Sequence, residues 1–96
     1  MKKIFKYPLQ PKPENVIEMP AGAAVLDLQT QNDVPCLWVE IDPDAPRIKR
    51  KFKIVPTGQA FEPGPFVHYM GTFQMQGGAL VFHVYTDREE HKVDPS

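Results

Sequence analysis

One cysteine, Cys36, is all the thiol the 96-residue chain carries. No disulfide can close within it, and a secreted, disulfide-stapled scaffold is disfavoured against a reducing compartment. Long apolar runs are missing too: nothing approaches the roughly 20 residues that cross a bilayer, so the expectation is a soluble chain with no membrane partner. Met1-Lys2-Lys3 has the basic character of a signal-peptide start, but Phe5-Lys6-Tyr7-Pro8 interrupts before an apolar stretch can follow. A cytoplasmic protein is expected. There is no excess of charge of either sign. With 11 Lys and Arg against 12 Asp and Glu, the formal net charge is −1, which gives no global field for nucleic acid or anionic lipid, so any electrostatic recognition has to be local. Proline-free windows are scarce as well. Eleven prolines are scattered from Pro8 to Pro95, and an interior proline removes a backbone donor and clashes with the preceding helical turn. Helices are therefore excluded over most of the chain.

Short strands between turns remain. The length suits one core and one domain, expected over residues 1–86 with a polar, fraying tail over 87–96. The central feature is the stretch from Tyr69 to Tyr85, which reads as a hairpin folded on Gly77-Gly78, since two glycines tolerate the positive φ angles of a tight turn. A two-residue loop pairs Gln76 with Ala79, Gln74 with Val81, Thr72 with His83 and Met70 with Tyr85. Met75, Phe73, Gly71 and Tyr69 then share a core face with Leu80, Phe82, Val84 and Thr86. Further strands are predicted at Lys3-to-Tyr7 (an outer strand), Asn15-to-Met19, Val25-to-Gln31 with Leu26 and Leu28 inward, Pro35-to-Ile41 with Leu37, Val39 and Ile41 on one face, and Arg47-to-Val55. The proline-rich 61–66 segment is expected as a loop over the core through Phe61 or Phe66. The fold class is all-β: a small antiparallel sandwich or partly open barrel of about 6–7 short strands with little or no helix.

Two constellations are candidates for binding. In the most charged strand, Lys49, Lys51 and Lys53 project on one face with Arg47 and Arg50 near, and their cations suit phosphate oxygens. The same lysines also fit protection of an exposed sheet edge. Aromatic interleaving is thin, which disfavours nucleic acid as a partner. On the hairpin, Thr72, Gln74 and His83 offer donors and acceptors suited to the edge of a base or sugar, with Tyr85 or Trp38 for stacking. That face serves equally as a subunit interface, with Met70, Val81 and Tyr85 as its apolar part. No metal is expected, because His68, His83, His91 and Cys36 lack the close spacings of zinc sites. No catalytic residues are assigned: Cys36 has no histidine nearby in sequence, and nothing fixes His83 against Asp44 or Glu40. Neither Thr57-Gly58 nor Gly77-Gly78 sits in a strand, glycine loop and helix succession, so no cofactor loop is read.

The order Ile4-Phe5-Lys6-Tyr7-Pro8-Leu9, Ile17-Glu18-Met19-Pro20-Ala21-Gly22-Ala23, Pro35-Cys36-Leu37-Trp38, Asp42-Pro43, Thr57-Gly58, Tyr69-Met70-Gly71-Thr72-Phe73 and Gly78-Ala79-Leu80-Val81-Phe82-His83-Val84 resembles a family of small uncharacterised proteins of tailed phages and prophages. The likeness spans nearly the whole chain. It implies a phage accessory protein acting in a bacterial cytoplasm, with no established activity and so no catalytic residues to carry over. In that setting the expected function is capture of a small anionic, nucleotide-type ligand without chemistry, sequestering a host defence signal, with homo-oligomerisation as a route to a pocket. The alternative is a protein–protein interaction module or inhibitor with no small-molecule ligand.

Overall fold

The computed structural model describes residues 1–93; residues 94–96 of the expected tail lie outside them. Among the described residues eight strands follow in order: β1 Lys3–Pro8, β2 Glu14–Pro20, β3 Ala24–Gln31, β4 Val34–Ile41, β5 Arg47–Pro56, β6 His68–Met75, β7 Leu80–Thr86 and β8 His91–Lys92. They form two antiparallel sheets, a three-stranded one ordered β1-β4-β3 and a five-stranded one ordered β2-β5-β7-β6 with β8 also on β5. The sheets face each other across a core of Leu28, Leu37, Val39 and Ile41 from the first and Met19, Phe52, Ile54, Phe73 and Val84 from the second. Alternation with period two in each strand puts these residues on one face. Edge β3 lies along edge β6, where the Thr30 hydroxyl donates to the Gln74 carbonyl at 3.1 Å. The result is a sandwich closed along one side, not a closed barrel.

Two β-bulges redirect side chains. In β3 the register skips Leu26, so Val25 pairs with Val39 and Asp27 with Trp38. Val25 and Leu28 therefore pack on the core while Leu26, expected inward, is 52 % exposed. An extra residue in one strand reverses the face of everything before it. In β6 the register skips Met70, so Tyr69, not Met70, stands opposite Tyr85. Met70 packs against the core and Tyr69 is turned out, which reverses the expectation for both. The hairpin turn is also one residue wider at each end than a two-residue loop: Met75 pairs with Leu80, and Gln76–Gly78 form a short 3-10 turn with all three φ angles positive. The inner pairs Gln74 with Val81 and Thr72 with His83 are as expected.

The basic strand β5 is interior, flanked by β2 on one side and by β7 and β8 on the other. Edge protection is therefore not what its lysines do. Cross-strand neighbours explain most of the pattern: Glu18 stands opposite Lys49, Glu14 opposite Lys53 and Val16 opposite Lys51, and opposite charges directly across a pair stabilise a sheet. The expected tail takes part in the fold as well. Asp87 is buried, its Oδ2 lies 3.0 Å from His91 Nε2, and β8 hydrogen-bonds to β5 through Lys49 and Ile48.

Candidate functional site

Alternation along β2, β5, β7 and β6 sends a second set of side chains to the outer face of the five-stranded sheet. The register places Lys53 opposite Tyr85, Val55 opposite His83, Thr72 opposite His83 and Gln74 opposite Val81. The lysine row and the hairpin polar face are thus one continuous surface carrying Lys49, Lys51, Lys53, Thr72, Gln74, His83 and Tyr85. Arg47 lies exposed at its end, opposite Pro20. Trp38 is elsewhere. It alternates with the buried Leu37 and Val39, so it faces out from the other sheet, with the Lys6 ammonium 5.9 Å from its ring. Arg50 also leaves the group: it shares the parity of Ile48 and Phe52, its guanidinium sits 5.8 Å from the Phe52 ring, and Nη1 donates to the Ala23 carbonyl at 3.5 Å.

His83 is the centre of a hydrogen-bonded chain. Its Nε2 lies 2.8 Å from Thr57 Oγ1, and its Nδ1 lies 2.9 Å from Thr72 Oγ1, which in turn bonds the Tyr69 hydroxyl. Thr57 donates its only hydroxyl proton to the Val81 carbonyl at 3.1 Å. In the neutral ring, Nε2–H must then donate to Thr57 and Nδ1 must accept from Thr72. Thr72, having given its proton, accepts from Tyr69. Every donor in the series points the same way, from the Tyr69 phenol to the Val81 carbonyl. Of the acid partners considered for His83, Glu40 pairs with Lys2 at 3.0 Å, and Asp44 lies in the turn between β4 and β5, where its backbone N–H donates to Asp42 Oδ1 at 3.0 Å.

The 57–67 loop crosses this outer face instead of the core. The Phe61 ring packs on Tyr85 at 5.4 Å, Tyr69 meets Tyr85 edge-on at 5.6 Å, and the Lys53 ammonium sits 5.7 Å from both Phe61 and Phe66. Lys53 also donates to the Glu62 carbonyl at 3.0 Å. That lysine is held by the loop. Lys51 is not: among the described residues its ammonium makes no hydrogen bond or ion pair, and its cross-strand neighbour is Val16. Thr57, Phe61 and Tyr69 belong to this surface although sequence reasoning had not placed them there. Thr57 and Phe61 come from a segment with no periodicity, and Tyr69 is brought out by the bulge.

A separate hollow of about 230 Å³ opens at one end of the sandwich, lined mainly by Pro11, Pro13, Pro35, Ile54, Phe73 and Phe82. None of the residues expected to bind a ligand lines it. Among the described residues no three His, Cys, Asp or Glu side chains gather where a metal ion would be held, and no helix is long and apolar enough to cross a membrane. No curated protein and no solved structure matches the chain significantly. A family profile does match, over residues 1–94, and the chain belongs to that family, described as a domain of unknown function, DUF7352.

Proposed function

We propose that this is a binding protein that does no chemistry, taking a small anionic ligand of nucleotide type on the outer face of the five-stranded sheet. The observation that carries the reading is the unpaired Lys51 ammonium on the same face as the exposed Tyr69 ring and the Thr72–His83 pair. A cation without an internal partner suits a phosphate oxygen, an aromatic face suits a base, and the hydroxyl and amide groups of Thr72 and Gln74 suit its edge. The neighbouring lysines contribute less, since Glu14 and Glu18 stand opposite two of them. In a phage setting, as the resemblance implies, such a protein would sequester a host defence signal in the bacterial cytoplasm. Self-association belongs to the same reading: among the described residues β1 pairs on one side only, and it carries Ile4 at 61 % exposure.

Titration calorimetry with a panel of linear and cyclic nucleotides tests this, with native mass spectrometry of the released ligand. The expected result is saturable binding of at least one nucleotide, recovered unchanged, and about tenfold weaker in Lys51→Ala, the size of one charge-assisted contact. Recovery of hydrolysed product would make the protein an enzyme. The second reading, a protein–protein module, is favoured by Val67, Phe61 and Tyr69, large apolar residues exposed on or beside the loop. The apolar patch expected for it around Met70 does not form, because Met70 packs on the core. Absence of nucleotide binding together with loss of a partner complex in Tyr69→Ala would establish that module instead.

A further inference from the structure

We infer that the end hollow is a second, independent binding site, for a small organic acid with an apolar body. Its walls come from parts of the chain far apart in sequence: the β1–β2 connection, the start of β4, the end of β5 and the facing ends of β6 and β7. Pro11, Pro13, Pro35 and Pro56 have no backbone N–H to offer a ligand or a water. The carbonyls of three of them are already used: Pro13 accepts from Ile54 N–H at 2.8 Å, Pro35 from Leu9 N–H at 2.8 Å and Pro56 from Gln59 N–H at 3.2 Å. The remaining wall is Ile54, Met75 and the stacked rings of Phe73 and Phe82, whose centroids are 5.3 Å apart. Water inside such a space finds few of the two to four polar partners that hold it, so an apolar group displaces it readily.

Two lining residues break the pattern, Lys12 and Gln59. Among the described residues neither the Lys12 ammonium nor the Gln59 side-chain amide makes a hydrogen bond or ion pair; their bonds run through the backbone. A cation and an amide donor, both unused and both on the lining of an apolar hollow, complement a carboxylate attached to an apolar body. Size narrows the body. An apolar cavity of about 150 Å³ takes benzene, so 230 Å³ takes a fused two-ring or branched-alkyl group with its carboxylate left at Lys12.

The test is a titration of the full chain with 2-naphthoate, alongside its neutral analogue 2-naphthalenemethanol, followed by ligand fluorescence and by amide shifts in NMR. Saturable one-to-one binding is expected, with a dissociation constant on the order of 0.1 mM and with shifts gathered on Ile54, Gln59, Phe73 and Phe82. Lys12→Ala should weaken naphthoate about tenfold and leave the alcohol within twofold. Gln59→Glu, at an exposed side chain that makes no hydrogen bond among the described residues, should repel the acid and spare the alcohol. Absence of saturable binding, equal loss of acid and alcohol in both variants, or shifts gathered on Lys51 and Tyr69 would each overturn the proposal. The last result would speak for the outer face and not for the hollow, so the two sites stand or fall separately.

Discussion

A Cβ built on Gly71 would stand 3.2 Å from Leu28 Cδ2, and the backbone there has φ +151°, a conformation that side-chain-bearing residues rarely adopt. Gly71 of β6 lies directly against Leu28 of β3, so this residue lets the two sheets meet along their joined side. Gly71→Ala is expected to lose about 1–3 kcal/mol from the combined overlap and backbone strain. Urea denaturation reads this as a lower midpoint at unchanged slope, and an unchanged midpoint would mean that β3 and β6 separate easily. In the sequence Gly71 was legible only as a gap in a strand. The Thr72–His83 pair was legible in full, because counting outward from Gly77-Gly78 with period two needs only local information. Tyr69 was not. Its face depends on a bulge that ends at Gly71, where the backbone lies against Leu28, more than 40 positions earlier.

Among the elements, β5 and the 57–67 loop decide what the outer face presents. The alternation of β5 was plain, but its place within the sheet was not, since strand neighbours are chosen by non-local pairing. Glu14 and Glu18 of β2 fall into register with Lys53 and Lys49, a complementarity visible in sequence only once those two strands are known to pair. The loop adds a small aromatic cluster in which Phe61 covers Tyr85 and Lys53. Phe61 is partly exposed, so Phe61→Ala should cost under about 1 kcal/mol of global stability while loosening the loop. Hydrogen exchange over residues 57–67 should quicken by several-fold with the β5 and β7 amides unaffected. Equal quickening in the strands would show that the loop is part of the main cooperative unit.

At the scale of the molecule, one core is shared by both sheets, with Leu37 and Val39 on one side and Phe52 and Val84 on the other. Neither sheet has an apolar interior of its own, so unfolding is expected to be a single cooperative transition. Trp38, the one tryptophan, reports on the three-stranded sheet, while far-UV circular dichroism reports on all strands. Their denaturation curves should superimpose; a fluorescence change well before the loss of ellipticity would mean that the smaller sheet detaches first. The apolar hollow also exists only at this scale, since the prolines around it are up to 45 positions apart in the chain.

The amino-acid sequence by itself determined seven of the eight strands among the described residues, their inward and outward faces away from the bulges, the hairpin pairing and the scarcity of helix. Each follows from side-chain period, β-propensity and proline, which act over a few residues. Tertiary structure alone decided that the basic strand is interior, that its lysines and the His83 surface form one face, that Trp38 lies apart from them, and that Tyr69 and Met70 exchange places. Those outcomes depend on which strands become neighbours and on how closely two sheets can approach, and packing settles both through contacts between residues remote in the chain.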